Sequence, residues 1–458
     1  TKHWKRWGPY LSERAWGTVR EDYSPYGSAW DYFPHDHARS KAYRWGEDGI
    51  AGVSDRYQLL VFAPSFWNGR DPILKERLFG LTPADGNHGE DVKEIYFHAD
   101  NTPTHSYMKY VYRYPQGRFP YEQLIEENRR REGEGPEFEL IDTGVFDEGR
   151  YFDVVIEYAK AGHDEWVCRI EAFNRGPEAA PLHILPHLWF RNTWAWKKAY
   201  SPVPHLKGEV GADGLLRVRA SDHTPLELRS IPNLNKLGAH TLVAQQGGRP
   251  LFADNETNGE AVFGPGNTSR SKFPKDAFHR HVVGGEACVN PELHGTRCAV
   301  HYAFDSVPAG KSVVVKLRLA PEGADQVDSA RALDRVDALV EQRRGEADQF
   351  YAGLHKPTAT PDERLVQRQA LSALSRGVEA EMQRCGLTSV QWAPLMLIAQ
   401  IPNPTAASLA RELNTDTGAM TRMLDRLEAK GLVTRRRSDA DRRVVSLALT
   451  ERGVETAQ

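Results

Sequence analysis

From about residue 136 to residue 322, apolar positions alternate with polar ones or run together over short lengths. The runs are YFDVVIEYAK (151–160), EWVCRIEAFN (165–174), PLHILPHLWF (181–190), LLRVRA (215–220), PLELRSI (225–231) and KSVVVKLRLA (311–320), with Gly, Pro and Asn between them. A period of two without intervening helical periods predicts antiparallel strands stacked as a large β-sandwich. The stretch from Asn255 to Phe273 predicts surface loops. Upstream, residues 1 to about 135 mix Trp, Tyr, His and Asp in short strand-and-loop units, and helical patterns are scarce. The period changes at 324–352, where Val327, Ala330, Leu333, Val336, Leu339 and Val340 share one helical face; the two prolines of HKPTATPDER (355–364) end that helix.

A second change comes near the C-terminus. TAASLAREL (405–413) predicts a short helix with Thr405 as N-cap and with Ala406, Leu409, Ala410 and Leu413 at helical spacing. A turn through Asn414, Thr415 and Asp416 leads to TGAMTRMLDRLEAK (417–430), where Ala419, Met420, Met423, Leu424 and Leu427 form one apolar stripe and Gly431 stops the helix. LVTRRR (432–437), the polar turn SDADRR and VVSLALT (444–450) then predict a hairpin. Helix, turn, helix and hairpin make a winged helix-turn-helix. Just upstream, Thr388 with Gln391 predicts a capping box; Trp392, Leu395, Met396 and Ile398 predict a buried stripe, and Pro394 a kink or first turn.

This arrangement suits double-stranded DNA. Opposite its apolar stripe the second helix offers Thr417, Thr421, Arg422 and Arg426, hydroxyls and guanidinium forks matched to phosphates and base edges. The hairpin adds Arg435, Arg436, Arg437, Arg442 and Arg443, opposed only by Asp439 and Asp441.

From about Leu371 onward the chain resembles the MarR family of transcriptional regulators, most specifically in RMLDRLEAKGLVTRRRSDADRRVVSLALTERG (422–453). The resemblance implies a winged-helix domain that binds pseudo-palindromic operators as a homodimer. It implies that Thr417, Thr421 and Arg422 read the major groove and that Arg442 sits at the wing, held by Asp441. In that family two helices beyond the wing build most of the dimer interface, and here the sequence stops just after the first begins.

The 458 residues call for two or more domains, and a hydrophobic share of 40% supports a soluble core. The formal net charge of −3 excludes a global bias toward nucleic acid, so attraction to DNA must be local. No apolar run reaches the roughly 20 residues of a membrane span and the N-terminus has no apolar signal core, which makes the cytoplasm the expected compartment. Cys168, Cys288, Cys298 and Cys385 lack CxxC spacing and read as buried thiols, with Cys288 and Cys298 able to approach in a hairpin. His35 with His37 would share a strand face and invite a metal, as do His88, Glu90 and Asp91; a polar loop in which Asp36 orients a histidine explains the first pattern equally, and no metal or cofactor is assigned.

Residues from about 3 to 370 resemble the N-terminal part of bacterial glycoside hydrolase family 63-like proteins. SERAWGTVREDYS, DYFPHDHARSKAYRWGEDGI, WNGRDPILKERLFGLT, GNHGEDVKE, TPTHSYMKY, DTGVFDEGRYFDV and LPHLWFRNTW carry the likeness. It implies a β-sandwich, a linking helical segment and then a catalytic α/α toroid; LVQRQALSAL (365–374) starts as the first toroid helix would, and the likeness stops within it. The expected order is therefore a sandwich over 1–322, a linker and toroid start over 323–370, and a truncated winged helix over 371–458. Glycoside hydrolysis needs two carboxyl groups flanking the bond. Asp22, Asp31, Glu47, Glu90 and Asp91 are not paired by spacing, so no catalytic residue is assigned and the sandwich is left with possible carbohydrate binding. The favoured expectation is a DNA-binding regulator module fused to a catalytically incomplete glycosidase sandwich. The alternatives are a glycoside hydrolase fragment and a non-functional chimeric join near Ala370 to Arg376, which the non-Met start at Thr1 and the stop soon after Thr450 would suit.

Overall fold

The computed structural model describes residues 3–10, 34–42, 48–89, 91–131, 133, 135–196, 203–222, 237–356, 358–369, 394–395, 397–399, 404–412, 417–437 and 445–457. The chain divides into two compact units, Thr1–Ser372 and Ala373–Gln458.

The first unit is rich in antiparallel sheet. Among the described residues a six-stranded sheet runs in the order Trp7–Tyr10, Gly52–Asp55, Leu60–Trp67, Ala180–Phe190, Arg297–Val307 and Arg249–Ala253. A nine-stranded sheet runs in the order His294–Gly295, His205–Val210, Leu216–Ser221, His240–Ala244, Ser312–Pro321, Trp166–Asn174, Tyr151–Lys160, Tyr107–Pro115 and Ile95–Asn101. Of the six runs picked from the alternating pattern, five lie on strands; PLELRSI falls outside the described residues. One apolar core joins the sheets: Phe62, Leu188 and Val300 from the smaller meet Tyr112, Val154, Ile170 and Leu317 from the larger. Trp7 and Trp166 meet edge to face in it at 6.1 Å between ring centroids, and Phe62 lies 5.0 Å from Trp166.

Helix α1 (Tyr121–Arg131), in the stretch where helical patterns are scarce, buries Tyr121 and Leu124 against Phe79, Leu81, Phe119 and Phe138. Helix α2 (Ala277–Gly284) buries Ala277 and Phe278 against Leu74, Leu185, Leu251 and Ala299, and Gly259–Phe263 forms a short helix within the expected loop region. Helix α3 (Val336–Ala352) lays Val336, Val340 and Ala347 on Tyr107, Ala159 and Val167, the face of the larger sheet that points away from the shared core. The expected helix over 324–352 is thus twelve residues shorter than its apolar pattern suggests, starting at 336. Two sheet arginines account for the difference. Arg318 donates to the carbonyls of Asp325 at 2.7 Å and Ala332 at 3.2 Å, and Arg217 donates to those of Ser329 at 2.9 Å and Val327 at 3.3 Å. Those carbonyls accept from arginine side chains within a run of turns, Ser329 O also accepting from Ala332 N at 3.1 Å, while Val327 and Ala332 fill a separate cluster with Leu215, Val243 and Ala320.

Charged side chains inside this unit form two networks from the consecutive residues Lys75, Glu76 and Arg77, each 3% exposed or less. Asp48 accepts from Arg77 Nε at 2.9 Å and Lys275 Nζ at 2.7 Å, with Arg297 Nη1 at 3.3 Å. Arg297 also bonds Glu76 and approaches His187 Nδ1 at 3.1 Å, while His187 Nε2 meets the Ser65 hydroxyl at 2.8 Å. Burial pushes the Asp48 carboxyl up, but the charges of Arg77, Lys275 and Arg297 outweigh it and hold it well below the usual carboxylate range. Lys75 starts the second network, donating to Glu94 at 2.8 Å and to Tyr121 Oη at 2.7 Å over the Phe119 ring; Tyr112 and Tyr114 donate to Glu94 and Asp71.

Of the suggested metal ligands, His35, His88 and Asp91 are otherwise engaged. His35 and His37 lie in a one-turn helix, His35–Ala38, not in a strand. Helical residues two apart diverge by about 200°, so the shared face is lost. The His35 ring packs instead on Phe79 and Tyr121. Glu90 lies outside the described residues, and His88 approaches Glu137 at 3.7 Å. Asp91, Glu137 and Glu139 do converge, but around the ammonium of Lys93, at 3.5, 2.6 and 2.7 Å. Cys168, Cys288 and Cys298 are free thiols, so Cys288 and Cys298 form no disulfide; Cys288 donates to the Ala277 carbonyl, and Cys385 lies outside the described residues. No helix among the described residues is long and apolar enough to cross a membrane.

Candidate nucleic-acid interface

In the second unit, helix α4 (Ala406–Glu412) begins at a reciprocal cap. The Thr405 hydroxyl accepts from Ser408 N at 3.1 Å, and the Ser408 hydroxyl accepts from Thr405 N at 2.9 Å. Helix α5 (Thr417–Ala429) buries Met420, Leu424 and Leu427 against Leu409, Ala410, Leu395 and Ile398. It ends as Gly431 at φ +69° allows: Gly431 N donates to Glu428 O at 2.9 Å and Leu432 N reaches back to Leu427 O at 3.0 Å, with Leu427 and Leu432 in one cluster. These are the two bonds and the apolar contact of a Schellman ending. The wing pairs Val433–Arg437 with Val445–Leu449 in antiparallel register, Val433 opposite Leu449 and Arg437 opposite Val445.

Helix α6 (Glu451–Ala457) is docked by Thr450, whose hydroxyl donates to Gly431 O at 2.7 Å and accepts from Gly453 N at 2.9 Å. At Gly453 an added Cβ would stand 2.0 Å from the Leu432 carbonyl oxygen, a backbone atom that already accepts from Thr450 N at 3.1 Å. Gly453→Ala is therefore expected to destabilise this unit by about 1–3 kcal/mol, as overpacking does. The check is the midpoint of the corresponding thermal transition against that of Ala457→Gly, which removes side-chain volume.

The helical position of each proposed contact follows from this frame. Thr417 opens α5, and Thr421, Arg422 and Arg426 follow along it; the side chains of Thr421 and Arg426 are exposed. Arg436 and Arg437 lie on the first wing strand. Asp441, Arg442 and Arg443 lie outside the described residues, as do Thr388, Gln391 and the turn 414–416. The sequence pattern did not indicate where Arg435 goes. It turns back to α5, binding Asp425 at 2.6 Å and Glu428 at 3.3 Å and donating to the Thr421 carbonyl at 3.3 Å. The cue was available: two acids three residues apart on the helix, followed by an arginine at the start of the wing.

Two helices and a wing packed on one core place the second unit in the winged helix-turn-helix class. Residues 387–445 match the MarR family, and the C-terminal unit carries a MarR-type winged helix. The organic hydroperoxide resistance transcriptional regulator of Bacillus subtilis is 36% identical over 72 residues, covering 16% of this chain and 49% of that protein. A mutant MarR from E. coli, solved with operator DNA, is 34% identical with a TM-score of 0.17, covering 18% of this chain and 59% of that one. Another relative covers most of the chain. The uncharacterized protein YMR196W of Saccharomyces cerevisiae is 40% identical over 397 residues, 81% of this chain, of which the chain spans 36%.

Proposed function

We propose that the C-terminal unit reads duplex DNA as a transcriptional regulator domain, with α5 in the major groove and the wing against the adjoining backbone. What carries this proposal is the placing of Thr421 and Arg426, both exposed, beside a strand that bears Arg436 and Arg437, all on a core built by α4 and α5. The match of residues 387–445 to the MarR family supports it. Thr417, Thr421, Arg422 and Arg426 are assigned to bases and nearby phosphates, and Arg436, Arg437, Arg442 and Arg443, with Asp441 holding Arg442, to the wing contact. One copy covers one half of a pseudo-palindromic operator, and a homodimer covers both. For the sheet-rich unit the proposal is a β-sandwich related to glycoside hydrolase family 63-like proteins, lacking a catalytic pair and offering a carbohydrate-binding surface; the core shared by its two sheets supports the sandwich. The fused protein acts in the cytoplasm.

The test is selection from random duplex DNA at two salt concentrations, beside a double variant, Arg422→Ala with Arg442→Ala. Enrichment of a half-palindrome is expected, with affinity about 10- to 100-fold lower in the variant and a salt dependence shallower by about one ion for each phosphate that the variant no longer neutralises. Asp36→Asn, in the other unit, should bind as the parent does. Weak binding, equal in parent and double variant, would sink the proposal.

A further inference from the structure

We propose that Arg435 is a positioning residue that straps the wing to the DNA-reading helix and contacts no DNA itself; this rests on the DNA-binding function proposed above. Three groups of α5 converge on its guanidinium: the Asp425 carboxylate at 2.6 Å, the Glu428 carboxylate at 3.3 Å and the Thr421 carbonyl at 3.3 Å. Steps of about 100° per residue put positions 421, 425 and 428 on one side of the helix, next to the apolar stripe, while 422 and 426 follow on the adjoining side. On the strand, alternation puts 435 on the face of Val433, which is buried in the core with Leu424, Leu427 and Leu447. The wing strand is thus fixed to α5 at two successive same-face positions, by an apolar contact at 433 and an ionic one at 435.

The charge balance argues the same way. With Arg435 seated, one cation faces two carboxylates on a surface that is to meet phosphates. Drawing Arg435 off toward DNA would leave Asp425 and Glu428 beside the polyanion with no counter-charge. The Arg435 side chain is 29% exposed, against 53% for Asp425 and 42% for Glu428, so the guanidinium is the enclosed member of the trio. Exposed ion pairs contribute little to global stability. What three contacts from one helix fix is the angle of the wing, and a small misplacement there moves Arg436 and Arg437 relative to the groove.

The sign of the Asp425→Ala effect separates a strap from a DNA contact. If Arg435 bound phosphate, removing the acid would free a cation, lessen repulsion and tighten DNA binding. A strap predicts the opposite: Asp425→Ala and Arg435→Ala each weaken binding about 3- to 10-fold, and the double variant is no weaker than either single one. The salt dependence of Arg435→Ala should match that of the parent, whereas removing an arginine that neutralises a phosphate lowers the slope by about one. A second readout needs no DNA. Amide exchange across Val433–Arg437 and Val445–Leu449 should speed up several-fold in both single variants while the thermal midpoint moves little. Tighter binding by Asp425→Ala, a slope reduced by one in Arg435→Ala, or unchanged wing exchange in both variants would overturn the strap. Failure of the parent to bind DNA would instead sink the function proposed above, and wing exchange would still decide the role of Arg435.

Discussion

Asp48→Asn should unfold the sheet-rich unit or bring it close to unfolding. The substitution is nearly isosteric, but it removes the carboxylate that Arg77, Lys275 and Arg297 share. Glu76 is left as the counter-charge of Arg297 in a site closed to water. Breaking a buried ion pair by removing one partner costs about 3–5 kcal/mol, a large part of the roughly 5–15 kcal/mol by which domains are stable. The measurement is urea unfolding followed by tryptophan fluorescence, since Trp7 and Trp166 are fully buried in the same unit. A fall in midpoint with unchanged slope is expected. Asp36→Asn serves as the control: its carboxylate is 78% exposed and its pairing with Arg39 is a surface contact, so little change is expected. Arg297→Met should be as damaging as Asp48→Asn, and less so when Glu76→Gln accompanies it. If Asp48→Asn unfolds at the parent midpoint, the network is not a source of stability.

Acid should unfold the same unit in a window set by its histidines. His105 and His187 are both buried, and burial, reinforced by Lys160 near the first and Arg297 near the second, holds each well below the ordinary imidazole value. In the unfolded chain each takes a proton near pH 6.5, while the folded chain takes it only at much lower pH. Stability is therefore fully present above about pH 6.5 and is lost as pH falls from there, by about 1.4 kcal/mol per unit for each histidine, or about 2.7 kcal/mol for the two. His240, lowered by burial though less far, adds to the slope. Glu76 and Glu94, whose carboxyls burial raises, oppose it closer to their unfolded values, because there the folded state holds the extra proton. Stability measured from pH 7.5 to pH 5 should fall over that range, and His187→Gln should flatten the fall. A profile level from pH 7 to pH 5 in the parent would contradict the assignment.

The strands and the winged helix were legible for the same physical reason. Their apolar positions recur at the period of the element they form, so five of six picked runs, the α5 stripe and the Thr405 and Gly431 ends lie where the pattern puts them. What stayed hidden depends on partners distant in sequence. Lys75, Glu76 and Arg77 are three consecutive charged residues and yet are buried, because their counter-charges come from Asp48, Glu94 and Arg297. The helix expected from 324 starts only at Val336, because Arg217 and Arg318, both on strands of the larger sheet, take the carbonyls a helix would use. His35 and His37 looked like strand neighbours because two imidazoles at i and i+2 carry no mark of the local backbone. In the wing, the run of arginines signalled basic charge but not which of them turns inward. Arg435 is told apart by Asp425 and Glu428, on another element.

The Asp48 network also sets an order of events during synthesis. Asp48 and Arg297 are separated by 249 residues, and Glu76 and Arg297 by 221. At about 5–20 residues per second, Arg297 follows Asp48 out of the ribosome by roughly 12–50 seconds. Through that interval the strand Arg297–Val307, which lies between Ala180–Phe190 and Arg249–Ala253 in the smaller sheet, does not yet exist. The first strands of that sheet therefore wait with open edges and an unfinished ionic centre. Nascent chains of this protein should depend on holding chaperones until the strand Arg297–Val307 has emerged.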